Sequence, residues 1–326
     1  MIAEVAPVPA MTGRVIRAAA VDIGSTSVHL LVGEVAGGEL RPLLDLSELL
    51  GLGARIEAEG LLGPVVRAEL AEIMAGYAAE ARRLYADEIV FVSTDPLRHA
   101  ADAARAAHEI EGAARVPVHV LDQAEEGALT LLGVAGYGRH GDLSVVDIGG
   151  GSTEIVLAGP NGIRKVVGLS LGASRLSAVV DPDDPPTAGQ VAALRDEVER
   201  VLAGAPDLEL GEVVGVGGTA YGVARVATGP GFGERLVDRA GIDLAVAIAG
   251  RERSARVAEL FGLNPRRARI LPAGAAILDG IARRYGLERI RISEYGIREG
   301  LVLAAARDGL AWRDRLTATT RSESTG

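Results

Sequence analysis

The residues with the most chemical promise sit in two matched phrases, Val-Asp-Ile-Gly-Ser-Thr-Ser at 21–27 and Val-Asp-Ile-Gly-Gly-Gly-Ser-Thr-Glu at 146–154. In each, an apolar run ends in Asp and breaks into Gly and hydroxyl residues. That pattern is a strand feeding a tight turn whose backbone N–H groups can surround a phosphate. In the second phrase Gly149, Gly150 and Gly151 let an anion approach bare backbone, and Ser152 and Thr153 add hydroxyl donors. Asp147 and Glu154 stand at the two ends of the turn. On paired strands both can project into one cleft and share a hard cation, directly or through water. The first phrase offers Gly24, Ser25, Thr26 and Ser27 as donors, with Asp22 placed to hold a metal-bound water. Two such turns facing one cleft suit a nucleotide or polyphosphate enzyme.

Other candidates surround these turns. Glu125 and Glu126 fall in the first turn of a helix expected at 124–134. The pair is either ordinary charge favoured by the helix dipole or a general base at the join of two lobes. Arg98 opens another helix, where a cation opposes the dipole; it could steady the charge on a transferring phosphoryl group. Gly217, Gly218 and Thr219 end a strand and open a helix, a third anion or nucleotide contact, although a lone Gly-Gly-Thr is a weak signal. The arginine-rich stretch at 251–298 is either a set of solvated helix faces or a polyanion-binding face. The five histidines have neither zinc spacing nor a nucleophile partner, and read as packing or surface residues. The motifs of Walker, dinucleotide-binding and serine-elbow enzymes are absent.

Positioning these residues takes alternating strands and helices, so the class is α/β, and the repeated phrase favours two similar lobes over one doubly wound sheet. The 326 residues, 48% of them hydrophobic, suffice for two domains with separate cores. Strands are expected at 17–35, 88–92, 118–121, 143 onward, 212–216 and 289–293, and helices at 64–84, 97–112, 187–204, 265–286 with a break at Pro272, and 297–307. A Gly-rich hinge is expected at 133–141, a hairpin turn at 159–162 and a frayed tail from 309. A net charge of −10 repels polyanions at long range, so nucleic acid is not an expected partner and any phosphate site must be local. The absence of cysteine excludes disulfides, thiolate zinc sites and thiol catalysis. With no signal-peptide core and no run of about 18 apolar residues, a soluble cytoplasmic protein without a membrane partner is expected.

Taken in order, the two Asp-Ile-Gly turns, Ser-Thr-Asp-Pro-Leu-Arg at 93–98, Glu125-Glu126, Ser-Leu-Gly-Ala at 170–173, Gly-Val-Gly-Gly-Thr at 215–219 and Gly-Ile-Arg-Glu-Gly at 296–300 resemble the exopolyphosphatase/guanosine pentaphosphate phosphohydrolase (Ppx/GppA) family. The resemblance covers the chain from about residue 17 to 307. It implies two ribonuclease-H-like lobes of the actin/Hsp70/sugar-kinase superfamily around an active-site cleft. The lobes would be 16–128 plus 300–312 and 129–299, with flexible tails at 1–15 and 313–326. It also implies Mg²⁺-dependent (or Mn²⁺-dependent) release of terminal phosphate from inorganic polyphosphate, with guanosine pentaphosphate as an alternative substrate and a homodimer as the assembly. Carried over by position, Glu126 falls on the catalytic base, Arg98 on the phosphate-contacting arginine, Asp147 and Glu154 on metal- or water-holding acids, and the glycine turns on the phosphate loops. The chain departs from the pattern at Ala128, where an arginine is usual, at Thr26 in place of Asn, and at Asp95-Pro96 in place of small residues. It also stops before the HD-type domain of longer members. The loss at Ala128 favours a rival reading, a non-catalytic sensor of guanosine tetraphosphate or another nucleotide; retention of Glu126, Asp147 and Glu154 opposes it.

Overall fold

The structure, a computed structural model, describes residues 14–136, 141–160, 162–231 and 235–321. The first part runs β1 (Ile16–Ile23), β2 (Ser27–Ala36), β3 (Glu39–Leu49), α1 (Leu52–Glu59), α2 (Gly63–Arg83), β4 (Glu88–Ser93), α3 (Asp95–His99), α4 (Ala103–Ala114), β5 (Val118–Val120) and α5 (Gln123–Ala135). The second runs β6 (Leu143–Ile148), β7 (Thr153–Gly159), β8 (Gly162–Leu169), α6 (Ala173–Val180), α7 (Ala188–Ala203), β9 (Glu212–Val216), α8 (Gly217–Thr228), β10 (Arg235–Asp238), α9 (Arg239–Ala249), α10 (Ser254–Phe261), α11 (Pro265–Arg269), α12 (Leu271–Arg284), β11 (Arg289–Ile292), α13 (Ile297–Asp308) and α14 (Trp312–Arg321).

The strands form two sheets, ordered β3-β2-β1-β4-β5 and β10-β11-β9-β6-β7-β8. In the first, β1 pairs antiparallel with β2 and parallel with β4. In the second, β6 pairs antiparallel with β7 and parallel with β9. Once β10 is set aside as an added edge strand, the two orders are the same. The repeated phrase is therefore a repeated place in the fold, the tight turn after the central strand of each sheet.

Each sheet buries both faces, which is why its central strand reads as a nearly continuous apolar run. On the first sheet, Val21 and Ile23 pack with Leu70 and Met74 of α2 and Ile110 of α4, while Ala18 and Ala20 face Leu301, Val302 and Ala305 of α13. On the second, Val146 and Ile155 pack with α7, α8 and α12, while Val145 and Val156 face Leu131 of α5. Helices α5 and α13 thus lie between the sheets, and they touch backbone to backbone. A methyl added at Gly300 would stand 2.8 Å from the Leu129 carbonyl carbon and 3.0 Å from the Gly133 nitrogen. Only glycine permits that approach.

Two expectations need correction. The helix expected at 97–112 is two, α3 and α4, separated by an extended Ala100. The break places Asp102 where its carboxylate accepts the Leu62 and Gly63 N–H groups at 2.8 and 3.0 Å and pairs with the buried Arg67. The tail expected from 309 is helical from Trp312 to Arg321, because Trp312 is buried edge-on to His119 and Arg313 reaches Glu125 at 2.6 Å. Residues 1–13 and 322–326 of the expected tails, 137–140 of the expected hinge and Asn161 of the expected turn lie outside the described residues. Among the described residues no helix is long and apolar enough to cross a membrane.

Candidate active site

Both glycine turns open on one cavity of about 550 Å³. Asp22, Gly24, Ser25, Thr26 and Ser27 line it from the β1–β2 turn, and Asp147, Gly149, Gly150, Gly151 and Ser152 from the β6–β7 turn. Gly217, Gly218 and Thr219 line it from the β9–α8 junction, and Glu126 from α5. Each turn is held by the hairpin register behind it, Asp22 opposite His29 and Asp147 opposite Glu154. Within each turn the first glycine N–H closes a short loop, Gly24 on the Ser27 carbonyl at 3.1 Å and Gly149 on the Ser152 carbonyl at 3.0 Å.

Glu126 enters from the first turn of α5, whose start is fixed by a capping box. Asp122 accepts the Glu125 N–H at 2.8 Å and Glu125 accepts the Asp122 N–H at 2.9 Å. Arg98 donates to Glu126 Oε2 at 2.7 Å and to the Leu121 carbonyl at 2.9 Å. It does not line the cavity, and reaches it through Glu126. Its Nη2 is buried and has no partner among the described residues.

Four carboxylates crowd this place with too little positive charge. Burial raises Glu126 to about 8, helped by Asp147 and Asp22 and opposed by Arg98. Burial likewise raises Asp22 to about 7 against the pull of Arg298, and Asp147 to about 6 despite the hydrogen bond from Thr130. Glu154 lies well above the usual carboxylate range, from burial first and then from Glu126 and Asp147. Asp22 Oδ1 and Glu154 Oε1 are buried with no partner among the described residues. Desolvated, mutually repelling carboxylates with unpartnered oxygens have the chemistry of cation ligands. Among the described residues no group of three or more Asp, Glu or His side chains is placed to hold a metal ion. Asp22 and Asp147 on the cavity wall match only the sparse set of one or two carboxylates that Mg²⁺ takes when water and substrate phosphates complete its shell.

Some expected residues lie elsewhere. The Thr153 hydroxyl, expected among the phosphate donors, instead donates to the Leu171 carbonyl at 2.5 Å and does not face the cavity. Glu154 is 1% exposed and sits behind Asp147 rather than on the cavity wall. His29, read as a packing or surface residue, lines the cavity, bonded to the Ser27 hydroxyl at 2.6 Å and facing Arg267 at 3.4 Å. Burial, Arg298 and Arg267 hold its pKa well below the ordinary histidine value. Of the arginine-rich stretch, Arg267 and Arg298 reach the cavity, whereas Arg283, Arg284 and Arg291 pair with Asp279, Asp207 and Glu212. Composition signalled the cluster, but only the fold separates these two from the rest.

With this geometry in hand, similarity to known proteins is informative. The model of the Ppx/GppA phosphatase family matches residues 31–308. Exopolyphosphatase 2 of Mycobacterium tuberculosis is 30% identical over 327 residues, covering 89% of this chain and 98% of its own. Exopolyphosphatase 1 of Mycobacterium leprae is 29% identical, covering 88% of each chain. The crystal structure of the Aquifex aeolicus Ppx/GppA family member superposes with a TM-score of 0.76 at 25% identity, over 89% of this chain and 97% of that one.

Proposed function

The chain belongs to the Ppx/GppA phosphatase family, hydrolases of phosphoanhydride bonds, and on that premise we propose that it is an exopolyphosphatase releasing orthophosphate from the end of linear polyphosphate. The observation that carries the reading is Glu126, a desolvated carboxylate lining the same cavity as the two glycine turns and backed by a guanidinium. Phosphoryl transfer asks the protein mainly for positioning and charge neutralisation. In the proposed reaction the N–H groups of the two turns and the hydroxyls of Ser25 and Ser152 hold the terminal phosphates. Glu126 in its ionised form, which Arg98 favours against the opposing effect of burial, orients a water in line with the terminal phosphorus and takes its proton as the new P–O bond forms and the bridging P–O bond to the shortened chain breaks. Asp22 and Asp147, with Glu154 behind them, would hold Mg²⁺ or Mn²⁺, which supplies the positive charge that the phosphates and carboxylates together lack.

The names of both mycobacterial relatives support polyphosphate as the substrate. Guanosine pentaphosphate is a second reading, favoured by the apolar extension of the cavity past Thr219 to Tyr221, Leu263 and Leu271, which offers room for a base. Phosphate release from short polyphosphates and from guanosine pentaphosphate, measured with Mg²⁺ for wild type and Glu126→Gln, tests both. Losing the base should cost ~10²–10⁴-fold on the true substrate. Equal rates in the variant would remove Glu126 from the mechanism, and tight guanosine tetraphosphate binding without turnover of any substrate would make the protein a sensor.

A further inference from the structure

We infer that Asp95 is an internal anion, occupying the gap between the two glycine turns and competing with a substrate phosphate for Ser25 and Arg175. The carboxylate is buried at the start of α3. Its Oδ2 accepts the Ser25 hydroxyl of the first turn at 3.0 Å and Arg175 Nη2, from α6 on the other side of the cleft, at 3.2 Å. The carboxylate lies on the bare face of Gly151, where an added methyl would be 2.5 Å from Asp95 Cγ and 2.5 Å from Ser25 Oγ. Arg175 is itself tied to both sides, donating to the Gly151 carbonyl at 2.8 Å and pairing with Glu57 of α1. Beside it Thr26 and Ser174 share a hydrogen bond of 2.8 Å, so the two turns meet through this polar seam.

The donors that hold the Asp95 carboxylate are a hydroxyl and a guanidinium, with the His99 ring nitrogen 3.1 Å from Oδ1 and the Cα face of Gly151 packed against it. The hydroxyl and the guanidinium are also groups that bind phosphate oxygens, and a guanidinium takes a carboxylate or a phosphate with the same geometry. Two anions cannot share them in a desolvated gap. A phosphate entering between the turns must therefore displace Asp95, after which Arg175 Nη2, still aimed by the bonds of Nε and Nη1, is released to grip it. Asp95 has two effects: it clamps the empty cleft shut, and it weakens the apparent affinity for substrate. The identity of the competitor rests on the proposed exopolyphosphatase activity, whereas the clamp does not.

Since the chain has no cysteine, Val65→Cys on α2 and Leu244→Cys on α9, both exposed, can carry a pair of spin labels that reports the separation of the lobes. Asp95→Ala should widen that distance in the empty protein, and tripolyphosphate should narrow it again. In a Glu126→Gln background, Asp95→Ala and Asp95→Asn should each bind tripolyphosphate about tenfold more tightly, the gain from removing one charge-assisted competitor. An unchanged distance in Asp95→Ala would overturn the clamp. Equal or weaker binding in both variants would overturn the competition. If neither parent nor variants bind tripolyphosphate while the distance still widens, the clamp stands and the proposed substrate falls.

Discussion

Gly300→Ala tests how the helix that carries Glu126 is held. The added methyl would collide with the Leu129 carbonyl oxygen and stand 2.8 Å from its carbon and 3.0 Å from the Gly133 nitrogen. All are backbone atoms, so no rotamer change relieves the clash. Because the oxygen is the nearest atom, the two helices must part by more than about 1 Å to restore ordinary contacts of about 3.5 Å. Overpacking of this kind costs about 1–3 kcal/mol. Leu129 is less than one turn from Glu126, so the shift passes into the cleft, where a misplacement of about 1 Å costs on the order of 10²-fold in rate. Thermal unfolding followed by circular dichroism, beside phosphate release at saturating polyphosphate, should show a lower Tm and a kcat reduced to about that degree. Gly133→Ala makes the mirror-image clash, with the Gly296 carbonyl carbon at 2.8 Å and the Gly300 nitrogen at 2.9 Å. Because the first substitution has already separated the helices, the double variant should lose less than the sum of the two. Wild-type Tm and wild-type rate together in Gly300→Ala would refute the argument.

Two further substitutions probe the frame around the site. Asp102→Ala strands two N–H groups at the start of α2 and leaves the buried Arg67 with Glu109 as its ion partner, a loss of about 1–3 kcal/mol measurable by denaturant unfolding. Burial raises the Asp102 pKa, but the two N–H groups and Arg67 more than offset this, and the net shift is downward. A depressed folded pKa stabilises above the unfolded value of about 3.9 and loses that contribution as pH falls through the folded value. The stability gap between wild type and variant should therefore narrow as pH falls below the unfolded value, and a gap that is the same in acid as at neutral pH would contradict this origin. Trp312→Ala empties the buried place against His119 at an expected cost of about 3–5 kcal/mol. Limited proteolysis should then cut within α14 first; unchanged protection would show that the helix is held without it.

The parts of the fold legible in sequence were those with local causes. Asp-Ile-Gly before hydroxyl residues fixes a strand and its turn, and the second copy fixes the second sheet, because both depend on neighbouring residues alone. What stayed hidden depends on residues far apart in the chain. His29 carries no local mark of a cleft residue; it becomes one because Ser27 and Arg267 meet it there. Asp95 looked like a departure from a pattern, and only Arg175, distant in sequence, gives it a role. The same holds for Arg-Glu-Gly at 298–300. Arg298 reaches Asp45 at 2.7 Å, Glu299 accepts the Gly296 N–H at 2.8 Å, and Gly300 admits Leu129. The Arg298 and Gly300 contacts depend on tertiary structure that no spacing rule contains; the Glu299 bond is local, an N3 side chain reaching back to the N-cap N–H.

Glu125 and Glu126 show the same limit at its finest scale. Spacing left two readings open for the pair, helix charge or general base, and the fold divides the readings between neighbours. Glu125 turns toward α14. Burial alone would raise its pKa, but two hydrogen bonds from Arg313 and one from the Asp122 N–H more than offset that and hold it low, as an ionised capping group. Glu126, one residue on, turns toward the cleft, where burial and the nearby Asp147 and Asp22 outweigh the single guanidinium of Arg98. The two side chains are chemically identical and share one helical turn, so neither composition nor the helix dipole can separate them. The separation comes from which arginine each meets and how much desolvated negative charge lies beyond it. Arg313 completes the cap that fixes the direction of α5, so the C-terminal helix takes part in aiming Glu126 without touching the cavity.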